Sequence, residues 1–91
     1  MSKRICIDFD QTIFDRRTGE MSGAGIINEW FLDGNEITIF TSRADTDYST
    51  IKKLLDDAKI KYTRIICGKP MYDILIDDKA VKFEGWGKKY L

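Results

Sequence analysis

Four short apolar runs, set apart by two stretches of helical period, constrain this chain more than any other feature. The runs are Arg4 to Phe9 (R-I-C-I-D-F), Glu36 to Thr41 (E-I-T-I-F-T), Arg64 to Cys67 and Asp73 to Asp77. Branched and aromatic residues dominate them, which is the composition of buried strands. Between the first two runs, Ile26, Ile27, Trp30 and Phe31 recur at helical spacing, and Gly34 supplies a stop. Trp30 and Phe31 read as core packing. Between the second and third, Ile51, Leu54, Leu55 and Ala58 follow i, i+3, i+4, i+7, with Thr46 or Asp47 as the cap. Lys52, Lys53, Asp56 and Asp57 fall mostly on the opposite, solvated face. Ile13 to Met21, with Thr18-Gly19 at its centre, predicts a small hairpin or flap, and Lys79 to Phe83 a terminal helical turn.

Helices that cross between consecutive strands make a parallel sheet with right-handed connections. The expected fold class is therefore α/β. At 91 residues the chain holds one domain, residues 1–91, with no repeat or linker. Composition narrows the function. Fifteen basic and fifteen acidic residues give zero formal net charge, without the field of a dedicated nucleic-acid binder. Extended nucleic-acid binding is not expected. There is no histidine, so no histidine base or histidine metal ligand exists. Cys6 and Cys67 sit in apolar runs and read as core fillers of a reducing compartment. No run reaches transmembrane length and none resembles a leader. No membrane partner and a cytoplasmic location are the expectation.

In parallel sheets ligands bind beyond the carboxyl ends of the strands. Those ends carry Asp8-Phe9-Asp10-Gln11-Thr12, Thr41-Ser42-Arg43, Gly68-Lys69-Pro70 and Asp77-Asp78-Lys79. Four carboxylates, hydroxyls and a lysine thus converge on one edge. Asp8 is hard to explain structurally, because burying a lone carboxylate costs several kcal/mol or more. Carboxylates this close repel one another unless a cation joins them. Magnesium suits such a set, since it takes hard oxygen ligands and few carboxylates. The inventory fits phosphoryl chemistry: a nucleophilic carboxylate, a second one for proton transfer, and donors for the phosphoryl oxygens.

The set D-F-D-Q-T, I-F-T-S-R, G-K-P and I-D-D-K resembles the four motifs of the haloacid dehalogenase (HAD) superfamily of phosphatases. More narrowly, F-T-S-R, G-K-P and I-D-D-K-A look like small capsule-biosynthesis and phage-type members. The resemblance spans roughly Arg4 to Lys79. It implies a three-layer Rossmann-like core of about four strands in the order 4-1-2-3. It implies Asp8 as nucleophile and Asp10 as general acid and base, with Thr41 and Lys69 on the phosphoryl group. Substrate contacts would come from Thr41, Ser42, Arg43 and Lys69. Mg2+ would be held by Asp8, Asp10, Asp77 and Asp78, with Asp78 the better direct ligand. Most members close the site with a cap domain. Here the intervals hold only a flap and short helices, so the chain is expected to be capless. The partner would be a phosphorylated small molecule or a substrate end, with a second subunit of a homo-oligomer closing the open site.

The connection to the fourth strand is short. In the order 4-1-2-3 it crosses about three strand spacings, roughly 14 Å. Six residue steps from Cys67 to Asp73 reach about 20 Å, so the connection must be extended, as Pro70 favours. Two other functions suit the same inventory. One is a phosphorylatable module similar to a receiver domain. The other is a non-catalytic magnesium-binding protein.

Overall fold

The structure, a computed structural model, describes residues 2–91. Three strands form one parallel sheet: β1 (Arg4–Asp8), β2 (Glu36–Phe40) and β3 (Arg64–Ile66), in spatial order β1-β2-β3. Helix α1 (Ala24–Leu32) connects β1 to β2, and α2 (Tyr48–Asp57) connects β2 to β3. The register pairs Ile5 with Ile37, Ile7 with Ile39, and Ile39 with Ile65. Side chains alternate along a strand, so these isoleucines share one face. Ile7, Ile37, Ile39 and Ile65, with Phe9, Ile13, Ile27, Ile51, Leu55 and Ile60, form the core, and Ile5 packs against it. Full burial of each such side chain contributes roughly 1.5–3 kcal/mol.

Both helices lie on that face. Two successive right-handed crossovers in the same direction place their helices together. The Asn28 side chain of α1 confirms it, donating to Lys59 O (2.8 Å) and accepting from Lys61 N (2.7 Å), just beyond α2. The other face carries Cys6, Thr38, Phe40 and Ile66 with no helix over it among the described residues. The described fold therefore has two layers, not the three expected, because no helix follows β3. Arg64 partly covers this face by bonding Thr38 Oγ1 (3.1 Å) and pairing with Glu36 (3.7 Å).

The helices follow the sequence pattern. Lys52–Asp56 and Lys53–Asp57 form i, i+4 ion pairs on the outer face of α2. A 3-10 turn, Asp45–Asp47, precedes α2, and Asp47 at the N-cap makes no side-chain cap bond. The flap forms as expected: Asp15 N donates to Glu20 O (2.9 Å), and Ser22 N donates to Ile13 O (2.8 Å). Gly23 has φ +85° and lies so close to Trp86 that a Cβ there would collide with the indole. Trp86 Nε1 donates to Thr12 O (3.1 Å), tying residues 83–90 to the flap. No helix among the described residues is long and apolar enough to cross a membrane.

Three expectations fail. Asp73–Asp77 forms no strand, and residues 70–82 are exposed throughout. The four-strand order is thus seen only as its 1-2-3 part. The physical reason is reach: Tyr72 still lies over the carboxyl end of the sheet, whereas a parallel fourth strand must start at the amino end. Lys79–Phe83 makes no helical turn; of these residues only Phe83 packs, against Trp86 and Tyr90. Cys6 is exposed rather than a core filler, because β1 is an edge strand and its third residue, Cys6, points to the open face.

Candidate functional site

Asp8 closes β1 and Phe9 drops into the core, fully buried. Alternation therefore returns Asp10 to the carboxyl edge. The chain then turns sharply. Phe9 O accepts from Ile13 N (2.9 Å) and Phe14 N (3.0 Å), and Gln11 takes φ +63°. A left-handed non-glycine residue costs on the order of 1 kcal/mol and concentrates at built sites. Gln11 is held there by its backbone N–H, which donates to Phe14 O (2.7 Å), while its Oε1 accepts from Arg16 N (2.8 Å).

The segment after β2 is locked to the segment after β3. Lys69 N donates to Thr41 O (2.9 Å), and Gly68 N donates to Arg43 O (2.8 Å). This carries Lys69 over the end of β1, where its Nζ donates to Asp8 Oδ1 at 2.9 Å. The ammonium also lies 5.4 Å from the rings of both Phe40 and Tyr72. Its side chain is only 15% exposed. Burial alone would lower the lysine pKa, but the hydrogen bond and charge of Asp8 outweigh it and hold Lys69 above its ordinary value. Lys69 is therefore a fixed cation beside Asp8.

Arg43 forms the second ion pair. Its Nε and a terminal nitrogen grip both oxygens of Asp10, at 3.0 and 2.7 Å. The guanidinium lies 5.4 Å from the ring of Phe9 and 5.5 Å from that of Phe14, and these rings stack 5.5 Å apart. The fork bond to Asp10 raises the Arg43 pKa above its usual range. Arg43 is thus paired with Asp10.

A cavity of about 180 Å³ opens beside these pairs, lined by Asp8, Asp10, Ser42, Lys69 and residues 70–72. Thr41 stands behind this wall, 1% exposed, with its Oγ1 accepting from Arg43 N (3.1 Å). A wider depression of about 770 Å³ at the opposite, amino end of the sheet is lined by residues 2–4, Gly34 and Glu36. It offers a single acid, Glu36, beside Lys3 and Arg4, and lies away from the carboxyl ends of the strands, so the carboxyl-end cavity is the candidate site.

Of the residues expected at a site, the fold brings together Asp8, Asp10, Ser42, Arg43 and Lys69, with Thr41 underneath. Asp77 and Asp78 stay outside. Both are exposed, and Asp78 pairs with Lys79 (3.2 Å). The Asp77 pKa falls chiefly through its bond from the Lys79 amide, a local turn rather than a site. Among the described residues no three acids or cysteines converge as a metal site. As one copy places them, the residues do not complete a magnesium site: Asp8 and Asp10 supply two carboxylates, and Arg43 occupies the second. Cys67 is a free thiol that burial, with the nearby charges of Asp45 and Asp47, pushes further from ionisation.

Sequence reasoning missed the Phe9–Phe14 platform under Arg43, and Tyr72 beside Lys69. Period alone gives no signal for either, since an aromatic residue in a strand or turn reads as core.

No family model matches the chain, and no curated protein does. It is similar to a Vibrio cholerae protein of known crystal structure, with 28% identity and a TM-score of 0.71 over 90% of this chain and 84% of that one. The likeness supports the small α/β, Rossmann-like architecture.

Proposed function

We propose that the chain is a hydrolase of phosphomonoesters that works through an aspartyl-phosphate on Asp8. The observation that carries this reading is the Lys69–Asp8 bond of 2.9 Å at the mouth of the cavity, joining residues 61 positions apart. An ammonium fixed on a strand-end carboxylate offsets the repulsion between that carboxylate and an approaching phosphate dianion. The Asp8 oxygen not held by Lys69 attacks phosphorus. The phosphorus–ester bond breaks, and the leaving oxygen takes a proton from Asp10. A water then gives its proton to Asp10 and attacks the aspartyl-phosphate. The phosphorus–Asp8 bond breaks, releasing phosphate and restoring both residues. For this cycle Arg43 must release at least one Asp10 oxygen, and that oxygen must take up a proton from solvent before the first ester bond breaks, so the fork describes a resting state. The Ser42 hydroxyl in the cavity wall and Lys69 are the donors for phosphoryl oxygens, with Thr41 bracing the loop.

The resemblance to HAD phosphatases supplies magnesium, which would neutralise the phosphoryl charge when bound. Asp8, Asp10 and an acid from Asp77–Asp78 would have to meet for it, and in one copy they do not. The substrate class is a small phosphorylated molecule or an exposed phosphate end, since an 180 Å³ site with no cap encloses little more than the phosphoryl group. The test is phosphate release from an aryl phosphate and a metabolite panel, with and without magnesium. Release that requires both magnesium and Asp8 supports the reading. Full activity in a folded Asp8→Asn variant overturns the nucleophile.

The fork on Asp10 favours one second reading: a phosphorylatable or cation-binding module without turnover. It predicts a stable phosphoprotein, or metal binding by calorimetry, with no phosphate release.

A further inference from the structure

We infer that Tyr72, with Met71 beside it, forms the leaving-group subsite of the carboxyl-end cavity and selects phosphomonoesters whose ester oxygen carries a flat, largely apolar ring. The inference rests on the reading of that cavity as a phosphoryl site and names a substrate class for it. The cavity divides by chemistry. Asp8, Asp10, Ser42 and Lys69 supply its charged and hydroxyl lining, and residues 70–72, Pro-Met-Tyr, supply all of its apolar lining.

The two large side chains of that lip serve no core. Met71 is 87% exposed and Tyr72 50%, and neither belongs to the core or to the residues packed against it. Aromatic and apolar surface left beside a few convergent polar groups is the make-up of a small-molecule site. The lip is nevertheless fixed in place. Gly68 N and Lys69 N donate to Arg43 O (2.8 Å) and Thr41 O (2.9 Å), and Pro70 restricts the backbone that follows. Lys69 Nζ, bonded to Asp8 Oδ1 at 2.9 Å, lies 5.4 Å from the Tyr72 ring. One ammonium thus anchors both the proposed nucleophile and the ring.

Distances then choose the ligand. A phosphoryl oxygen on Lys69 lies about 2.7–2.9 Å from its Nζ. A ring carried on the ester oxygen, directly or through one carbon, falls in the range of about 4.5–7 Å between centroids at which aromatic rings pair. The Met71 thioether also favours an aromatic neighbour. A methyl ester leaves the lip uncovered. A sugar ring covers it but brings several hydroxyls, and the lip offers one side-chain hydroxyl, that of Tyr72, to meet them. Polar groups covered without partners cost free energy. The lip is therefore complementary to an aryl group rather than to a sugar or a short alkyl chain.

Phosphonates read this subsite without turnover, because their phosphorus–carbon bond is not an ester. Calorimetry on the full chain, with and without magnesium, compares methylphosphonate, benzylphosphonate, cyclohexylmethylphosphonate and a C-glucosyl methylphosphonate. The wild type is expected to bind benzylphosphonate about tenfold tighter than methylphosphonate, and tighter than the cyclohexyl and glucosyl compounds. Tyr72→Phe is expected to keep that ratio. Tyr72→Ala is expected to bring it within about twofold, with methylphosphonate affinity and far-UV circular dichroism unchanged, since Tyr72 lies outside the core.

Equal affinity of the wild type for methyl- and benzylphosphonate, or binding of neither, overturns the subsite. So does a Tyr72→Ala variant that keeps the tenfold ratio, or one that weakens both phosphonates alike, which makes Tyr72 a support of Lys69 only. Tightest binding of the cyclohexyl or the glucosyl compound overturns the flat-ring class. Phosphate release, measured separately, divides this inference from the reading beneath it. A benzyl preference without release leaves the subsite standing and fails the hydrolase, and release without a benzyl preference does the reverse.

Discussion

Residues 4–9 and residues 73–78 are nearly the same kind of sequence, yet they have opposite fates. R-I-C-I-D-F and D-I-L-I-D-D both alternate around isoleucines and both place an aspartate directly after the second isoleucine. The first lies in a sheet, with Ile7 buried, Phe9 in the core and Asp8 held by Lys69. The second is solvated along its whole length, and its acids bond only to their own turn. The difference lies in what each can reach. Helix α1 lets β2 return beside β1 from the right end. After β3 the chain is pinned at Lys69, with three residues left before the next run. Strand propensity becomes a strand only where an edge lies within reach of the chain.

The largest expected effect separates the acids of the two regions. Asp8→Asn lowers phosphate release by at least about a thousandfold, whereas Asp73→Asn leaves it within about twofold at saturating protein, measured with an aryl phosphate. Equal losses in both would break the contrast. Next come the apolar residues. Phe9→Ala costs about 3–5 kcal/mol in denaturant unfolding, as the largest fully buried side chain. Ile76→Ser stays within about 0.5 kcal/mol for the single copy, since it removes no buried contact. Gly23→Ala falls between them, at about 1–3 kcal/mol, because the residue has φ +85° and meets the Trp86 indole. Thermal unfolding with Trp fluorescence reads both the loss and the release of Trp86.

The smallest effect concerns pH. Lys69 has a raised pKa in the fold, so its contribution is complete below the ordinary lysine pKa and disappears as pH rises through the folded value. The Tm gap between wild type and Lys69→Met, without divalent ions, is expected to be flat at pH 7–9 and to shrink toward pH 11.5. A gap that widens at high pH would contradict the Lys69–Asp8 bond.

Much of the first region was legible in the linear order. The helical spacing of Ile51, Leu54, Leu55 and Ala58 located α2, and the branched runs located β1 to β3. Parallel topology then placed Asp8, Asp10, Ser42 and Lys69 at one edge. Arg43 was legible as a strand-end residue but not as the clamp on Asp10. That depends on Phe9 and Phe14 stacking to support a guanidinium, a contact between side chains that no period encodes. Cys6 was misread because its neighbours are apolar, while its burial depends on whether another strand covers β1.

Alone, the amino-acid order determined which segments extend, which coil into helices, and which polar residues crown the strand ends. Those follow from local periodicity and from the rule that crossovers are right-handed. Only the tertiary structure decided that Lys69 grips Asp8, that Arg43 grips Asp10, and that Asp77 and Asp78 remain in solvent. Side-chain pairing depends on distances across the fold, and the few residues after Lys69 are too short to bring the last acids round to the others.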